Sequence, residues 1–296
     1  MSIERKKAEV IIKGYKKSKP ATLQLNFVIP VAILSLLIIA AIFAPLLAQY
    51  PPDETELMNM KQPPAFIAGG SSDHFLGTDQ LGRDILSRII YGARVSLSVS
   101  LLVILITATI GTILGIIAGY SGGRTESILM RITDVCLSLP AILIALLLGT
   151  ILGPSFLTVV LALSIFGWAG YARIIRGESL RLRNADFVSQ ARIIGSSPLR
   201  VMVKHIFPNV INPLIIMATM QVGLVILTES TLSYLGAGMP ATTASWGAMV
   251  SDGRNLIDIA WWVSFFPGMA IGLVVLSGNF LGDWLRDKLD PRLRQV

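Results

Sequence analysis

Five predominantly apolar stretches of this chain carry no charged side chain, and each is long enough to cross a bilayer: 20–52, 95–123, 135–172, 205–228 and 259–282. A hydrocarbon core about 30 Å thick takes roughly 20 apolar residues of helix, so every stretch qualifies as a span. The sequence therefore reads as an all-α integral membrane protein. The third stretch, as one straight helix, would reach about 57 Å, nearly twice the hydrocarbon thickness. It is expected to fold back at Gly153-Pro154-Ser155, because proline cannot continue a helix and glycine accepts the angles of a tight reversal. Six transmembrane helices follow, with both termini on one side.

Basic residues test that count. With six spans and the N-terminus inside, 20 of the 25 Lys and Arg residues fall on the cytoplasmic side, leaving Lys61, Arg83, Arg88, Arg94 and Arg254 outside. Reading 135–172 as one span places the basic segments 1–19 and 173–204 on opposite faces, which the same rule disfavours. The resulting division is a cytoplasmic tail at 1–26, a first span at 27–48 and an extracytoplasmic segment at 49–94. A five-helix core at 95–282, with a cytoplasmic loop at 173–208, and a cytoplasmic tail at 283–296 complete it. The basic start resembles a secretory signal, but its apolar run far exceeds an h-region and reads as an uncleaved span.

Composition agrees: 53% of the 296 residues are hydrophobic and 15% charged, with a net charge of +7. That charge sits at membrane flanks, where orientation and anionic lipid explain it, so no nucleic-acid partner is inferred. The lone Cys136 excludes an intramolecular disulfide and is expected to pack in the interior. His74 and His205 are too few and too far apart to suggest a metal cluster.

Several segments invite a functional reading. Gly111, Gly115 and Gly119 share one helical face, where small residues let helices approach closely, within the chain or against a second membrane subunit. In the loop 173–208, Asn184 or Asp186 is expected to cap a helix with Phe187, Ala191 and Ile194 on its apolar face. Gly195 then stops it, Ser197 caps a second helix from Pro198, and Leu199, Met202, Val203 and Ile206 form that helix's apolar face. Pro208 and Pro213 mark entry into the next span. Such a pair either lies on the membrane surface or forms a knob for a soluble partner. In 49–94 an interfacial helix is expected from Thr78 or Asp79, with Ile85 and Ile89 on one side and Arg83 and Asp84 towards water. Arg131 and Asp134 are spaced as a local ion pair. Glu229 is a candidate outer gate or a hydrated interfacial carboxylate. Trp246, Trp261 and Trp262 are assigned to an interfacial belt, with receptor contact by Trp246 as the alternative.

The run FVSQARIIGSSPLRVMVKHIFPN resembles the EAA loop of permease subunits in bacterial ABC importers. Its Glu-Ala-Ala falls on Ser189, Gln190 and Ala191, of which only Ala191 matches, while Gly195 and Pro208 stand at the expected later positions. LGTDQLGRDILSRIIYGARVSLSV, GYSGGRTESILMRITDVCLSLPAILIALLL, ESTLSYLGAGMP and LGDWLRDKLDPRL are similar to the C-type permease of dipeptide, oligopeptide and nickel importers. The resemblance implies a type I-like transmembrane domain in the bacterial cytoplasmic membrane. It also implies a second homologous permease, two ATP-binding cassette subunits that hold ATP and Mg, and an extracytoplasmic solute-binding protein. No GxxxxGK[ST] loop occurs, so the chain is expected to be no enzyme and to carry no cofactor. The coupling loop is then Asp186, Phe187, Ser189, Gln190, Ala191, Gly195 and Pro208. A secondary transporter, or a scaffold or channel subunit, is the rival reading, and the solute could be a peptide, a nickel complex, a glutathione-like compound or a sugar.

Overall fold

Wherever the chain is apolar for long enough it forms helix, and turn residues set where each helix stops. The protein is described by a computed structural model covering residues 21–240 and 242–289; the basic segment 1–19 and the end of the tail at 283–296 lie outside them. The helices are α1 Ala21–Ile42, α2 Ala44–Leu47, α3 Ile85–Ser121, α4 Gly123–Ser138, α5 Ala141–Leu152, α6 Phe156–Arg183, α7 Asp186–Ile193, α8 Pro198–Tyr234, α9 Trp246–Gly253 and α10 Trp262–Leu289. Among the described residues there is no strand beyond one isolated bridge, Thr78 to Asp84.

Among the described residues four helices, α3, α6, α8 and α10, are long and apolar enough to cross a membrane, and α4 with α5, bent by 77° at their junction, is long and apolar enough only when the pair is counted together. The apolar part of α1 is shorter, Phe27–Ile42. Large apolar side chains such as Leu36, Leu101, Leu143, Ile151 and Leu276 stand more than half exposed. So much outward apolar surface needs a non-aqueous surrounding.

The reversal at 153–155 is present: Gly153 has φ +80°, and the Ser155 hydroxyl caps α6 by accepting from Thr158 N at 3.1 Å. The break between α4 and α5 was not anticipated. It falls at Leu139-Pro140, where Pro140 has no N–H to give to the carbonyl of Cys136 four residues back.

The most extensive helix pair is α3 with α6. Along it Gly111, Gly115 and Gly119 press on the α6 main chain: a Cβ on Gly115 would lie 2.8 Å from Ala172 O, and one on Gly119 2.7 Å from Arg176 O. Without a hydrophobic force between helices in lipid, such close approach is what gains dispersion energy. α1 packs on α10 and α3, stacking Phe27 on Trp284 with centroids 4.1 Å apart.

The segment before α3 departs from expectation. No separate interfacial helix starts at Thr78 or Asp79; α3 begins at Ile85 and runs unbroken through the boundary placed at 94/95. Asp84 caps it, accepting from Ser87 N at 2.7 Å, and also meets His74 Nδ1 at 3.0 Å. Arg83 and Asp84 are buried, not turned to water. Their partners explain this: Arg83 Nε lies 2.6 Å from Asp79 Oδ2 and Nη2 lies 3.1 Å from Asp252 Oδ2, on distant α9. Arg88, also buried, approaches the same two carboxylates at 3.8 and 3.7 Å. A buried charge persists only when paired and hydrogen-bonded.

Candidate functional site

Three regions hold the residues singled out in the sequence: a knob at one end of the bundle, a clasp at the other, and a recess between them.

The knob is α7, Gly195 and the first turns of α8. α7 has Ala185 at its N-cap with no side-chain bond, and Asp186 lies in its first turn. Its buried face is Val188 and Ala191; Phe187 and Ile194 point outward, Ile194 at 84% exposure. The expected apolar face is thus rotated, because Val188 and Ala191 meet Ile116, Ile175 and Leu182 of α3 and α6 in one cluster. Gly195 ends the helix at φ +86°, an angle most side chains resist, with Ser196 N bonded to Ala191 O at 3.0 Å. Ser197 then caps α8, accepting from Arg200 N at 3.4 Å, and Pro198 takes the first helical position.

The second helix is not separate. It continues into the span through a π-helical stretch, Met202–Ile206, just before Pro208. Widening the helix there accommodates the missing N–H and the ring of Pro208. Val201, Ile206 and Val210 face the core, whereas Leu199 and Val203 stay exposed. Asp186, Ser189, Gln190, Gly195 and Pro208 are exposed and Ala191 is buried. Nearby, Arg192 lies over the Tyr120 ring at 4.9 Å and Arg176 pairs with Glu126. Asp134 pairs with Arg173 at 2.5 Å, not with Arg131, because α6 passes alongside α4.

The clasp centres on α9, which touches α3, α8 and α10. Its C-terminal Asp252 joins the Arg83 and Arg88 cluster, and burial pushes its carboxyl pKa up, against the pull of the two arginines. Its N-cap, Ser245, accepts from Ala248 N at 3.2 Å and donates to Glu229 Oε1 at 3.3 Å. Ser233 donates to the same oxygen at 2.9 Å and accepts from Met239 N. Glu229 is fully buried beneath α9, so it is no hydrated interfacial carboxylate and meets no aqueous surface here. Trp246 is buried as well, donating to Ile89 O at 3.0 Å, and Trp262 donates to Thr78 O; of the three tryptophans only Trp261 is exposed. The first two are anchors of the fold rather than belt residues, since each indole N–H finds its acceptor in the interior.

The recess, of about 230 Å³, lies where α4 breaks, between α3, α6 and α8. Cys136 lines it and is only partly buried, unlike the packed position expected. No group of three or more potential metal ligands occurs among the described residues.

A helical bundle with a broken span and an end knob narrows the fold, and similarity to known proteins decides the family. The model for the binding-protein-dependent transport system inner membrane component matches residues 111–295, and that for the N-terminal TM domain of oligopeptide transport permease C matches 27–64. The chain belongs to this family. It is 43% identical over 281 residues to the dipeptide transport system permease protein DppC of Escherichia coli K12, covering 95% of this chain and 92% of that one. It is 40% identical over 263 residues to the oligopeptide transport system permease protein OppC of Bacillus subtilis 168, covering 89% and 84%. A chain of the MetNI methionine ABC transporter, solved in inward-facing conformations, matches with TM-score 0.54 at 13% identity over 67% of this chain and 96% of that one, which shows a shared fold. The protein is a transmembrane permease subunit of an ABC importer and a multi-pass protein of the cytoplasmic membrane.

Proposed function

We propose that this permease forms half of a translocation path for peptides, beside a second homologous permease, and receives its driving force from two ATP-hydrolysing subunits at the knob. The relatives named for dipeptide and oligopeptide transport support the cargo class. The observation that carries the coupling reading is mechanical: the knob is one cluster with α3 and α6, and its second half, from Pro198, runs without a break into the span of the 37-residue helix α8. Force applied near Ala191 therefore reaches the membrane helices through packed side chains, and from Pro198 onward through continuous helix. In this orientation the knob is cytoplasmic, α9 faces an extracytoplasmic solute-binding protein, and α1 completes six spans. ATP and Mg belong to the partners, and the chain itself is no enzyme. Nucleotide shifts the equilibrium of the path because it binds one arrangement of the ATPases better than the other.

The glutamate of the EAA pattern is replaced by exposed Ser189, so contact with the ATPase rests on shape and apolar surface, notably Ile193 and Ile194 at 85% and 84% exposure. Gly195→Val tests this. A Cβ there meets nothing within 4 Å, so only the φ of +86° resists the change, at about 1–3 kcal/mol. Transport-coupled ATP hydrolysis in the assembled complex should fall, and Gly195→Asn, which tolerates left-handed angles, should recover most of it. Unchanged coupling in an assembled Val variant refutes the assignment. An ion-driven carrier or a scaffold would purify without ATP-binding subunits.

A further inference from the structure

Gln221 stands near the middle of the part of α8 that follows the π-helical stretch, Phe207–Tyr234, 14 residues from the first and 13 from the last, or about 20 Å from either end of that segment. Its amide has no hydrogen-bond partner among the described residues. An amide carries two donors and an acceptor, and leaving them unmet in hydrocarbon is costly, so a polar side chain at this depth calls for a polar neighbour from outside the chain.

It lines the recess at the α4–α5 break together with Thr107, Thr228 and Cys136. Thr107 Oγ1 donates to Val103 O and Thr228 Oγ1 to Leu224 O, both at 2.7 Å, which spends each hydroxyl proton and leaves oxygen lone pairs as acceptors. Pro140 withholds the N–H that would take up the Cys136 carbonyl. No charged residue lines the recess, and Leu137, Leu139 and Leu224 on its rim are each at least 40% exposed, so it opens to the exterior of the chain.

We propose that this recess is a solute contact point at mid-membrane, where the Gln221 amide and the Thr107 and Thr228 oxygens hydrogen-bond the main chain of a passing peptide. The inference rests on the peptide-importer reading above. Alternating N–H and C=O groups of an extended peptide match an amide flanked by acceptors. An uncharged apolar rim ignores side-chain identity, as a path for varied sequences requires. Gln221 is thus selective for peptide linkage, not for side chains.

The test uses the full reconstituted complex with its binding protein, and trialanine and its N-methylated form as probes. Gln221→Leu should lower the maximal uptake rate of trialanine about three- to tenfold, the scale of one hydrogen bond, without changing the concentration of loaded receptor giving half-maximal rate. Wild type should favour trialanine over the N-methylated form more strongly than Gln221→Leu does, and Gln221→Asn should restore part of the preference. Uptake by Gln221→Leu at the wild-type rate and preference overturns the proposal. So does loss of the second permease from the purified Gln221→Leu complex, which would make Gln221 an interhelical contact. A wild-type complex that takes up neither probe with ATP overturns the importer reading itself.

Discussion

Gly115 offers the sharpest test of how the bundle is held. A Cβ there would sit 2.8 Å from Ala172 O, 2.9 Å from Ile175 Cβ and 3.0 Å from Arg176 N, and two of those atoms are main chain that cannot swing aside. Restoring ordinary contact requires α3 and α6 to part by roughly 0.5–1 Å, which forfeits a quarter to a half of each dispersion well along the seam. Overpacking of this kind costs about 1–3 kcal/mol. Alanine returns about 0.8–1 kcal/mol in helix propensity, so Gly115→Ala should be net neutral to destabilising by about 2 kcal/mol. Valine recovers only about 0.3 kcal/mol, so Gly115→Val should cost about 1–3 kcal/mol. Gly170, on α6, is the control: a Cβ there meets nothing within 4 Å, so Gly170→Ala should stabilise by up to about 1 kcal/mol. Unfolding by SDS titration in mixed micelles, followed by circular dichroism, measures all three. The paired variants Gly111→Val and Gly115→Val should cost less together than their sum, because the first already separates the helices. Equal shifts for Gly115→Ala and Gly170→Ala would refute the close-packed seam.

The clasp yields two more predictions. Folding raises the Asp252 carboxyl above its unfolded value near 3.8, chiefly by burial, so the folded state holds its proton to higher pH. Stability should therefore fall as pH rises from about 3.8 through the folded value, and that fall should flatten in Asp252→Asn, read from melting temperatures across pH 3–7. Glu229→Leu leaves the Ser233 and Ser245 hydroxyls without their acceptor, a local loss of about 1–3 kcal/mol. Proteolysis between 235 and 245 should speed up, while Glu229→Gln, which keeps an amide oxygen, should resemble wild type; equal cleavage in all three would dismiss the hub role.

Much of the architecture was legible because lipid imposes a length rule that charge-free runs obey directly, and the reversal at 153–155 carries its own turn chemistry. The bend at Pro140 had the same kind of signal, a proline within an apolar run, yet span length alone favoured a continuous helix. The clasp was not legible. Arg83 and Asp84 read as water-facing until Asp252, far along the chain, arrives beside Arg83, and no local pattern announces that meeting. In the knob, helical spacing marked apolar positions correctly but could not say which stripe turns inward. Phe187 and Val188 are adjacent, and only the presence of Ile175 and Leu182 decides for Val188. Gln221 carried a readable signal too, an amide within the apolar run from Pro213 to Leu227.

These features divide the molecule into stiff and yielding parts. α3 reaches from the Asp84 cap at the clasp to the cluster around Ile116 at the knob, and the glycine seam fixes α6 along it. Motion delivered at the knob therefore moves α3, α6 and the lower part of α8 as a body, since packed interiors shift between arrangements rather than deform smoothly. The α4–α5 pair is built to yield beside that body. Its helices touch α3, α6 and α8 along one side and leave the other side exposed, and its backbone is interrupted at Pro140. A change in the 77° bend is the least costly response to a moving α6, because no hydrogen bond across the proline has to break. The same bend forms a wall of the recess that holds Gln221, so a joint that can yield is also one that can reshape the proposed contact with solute.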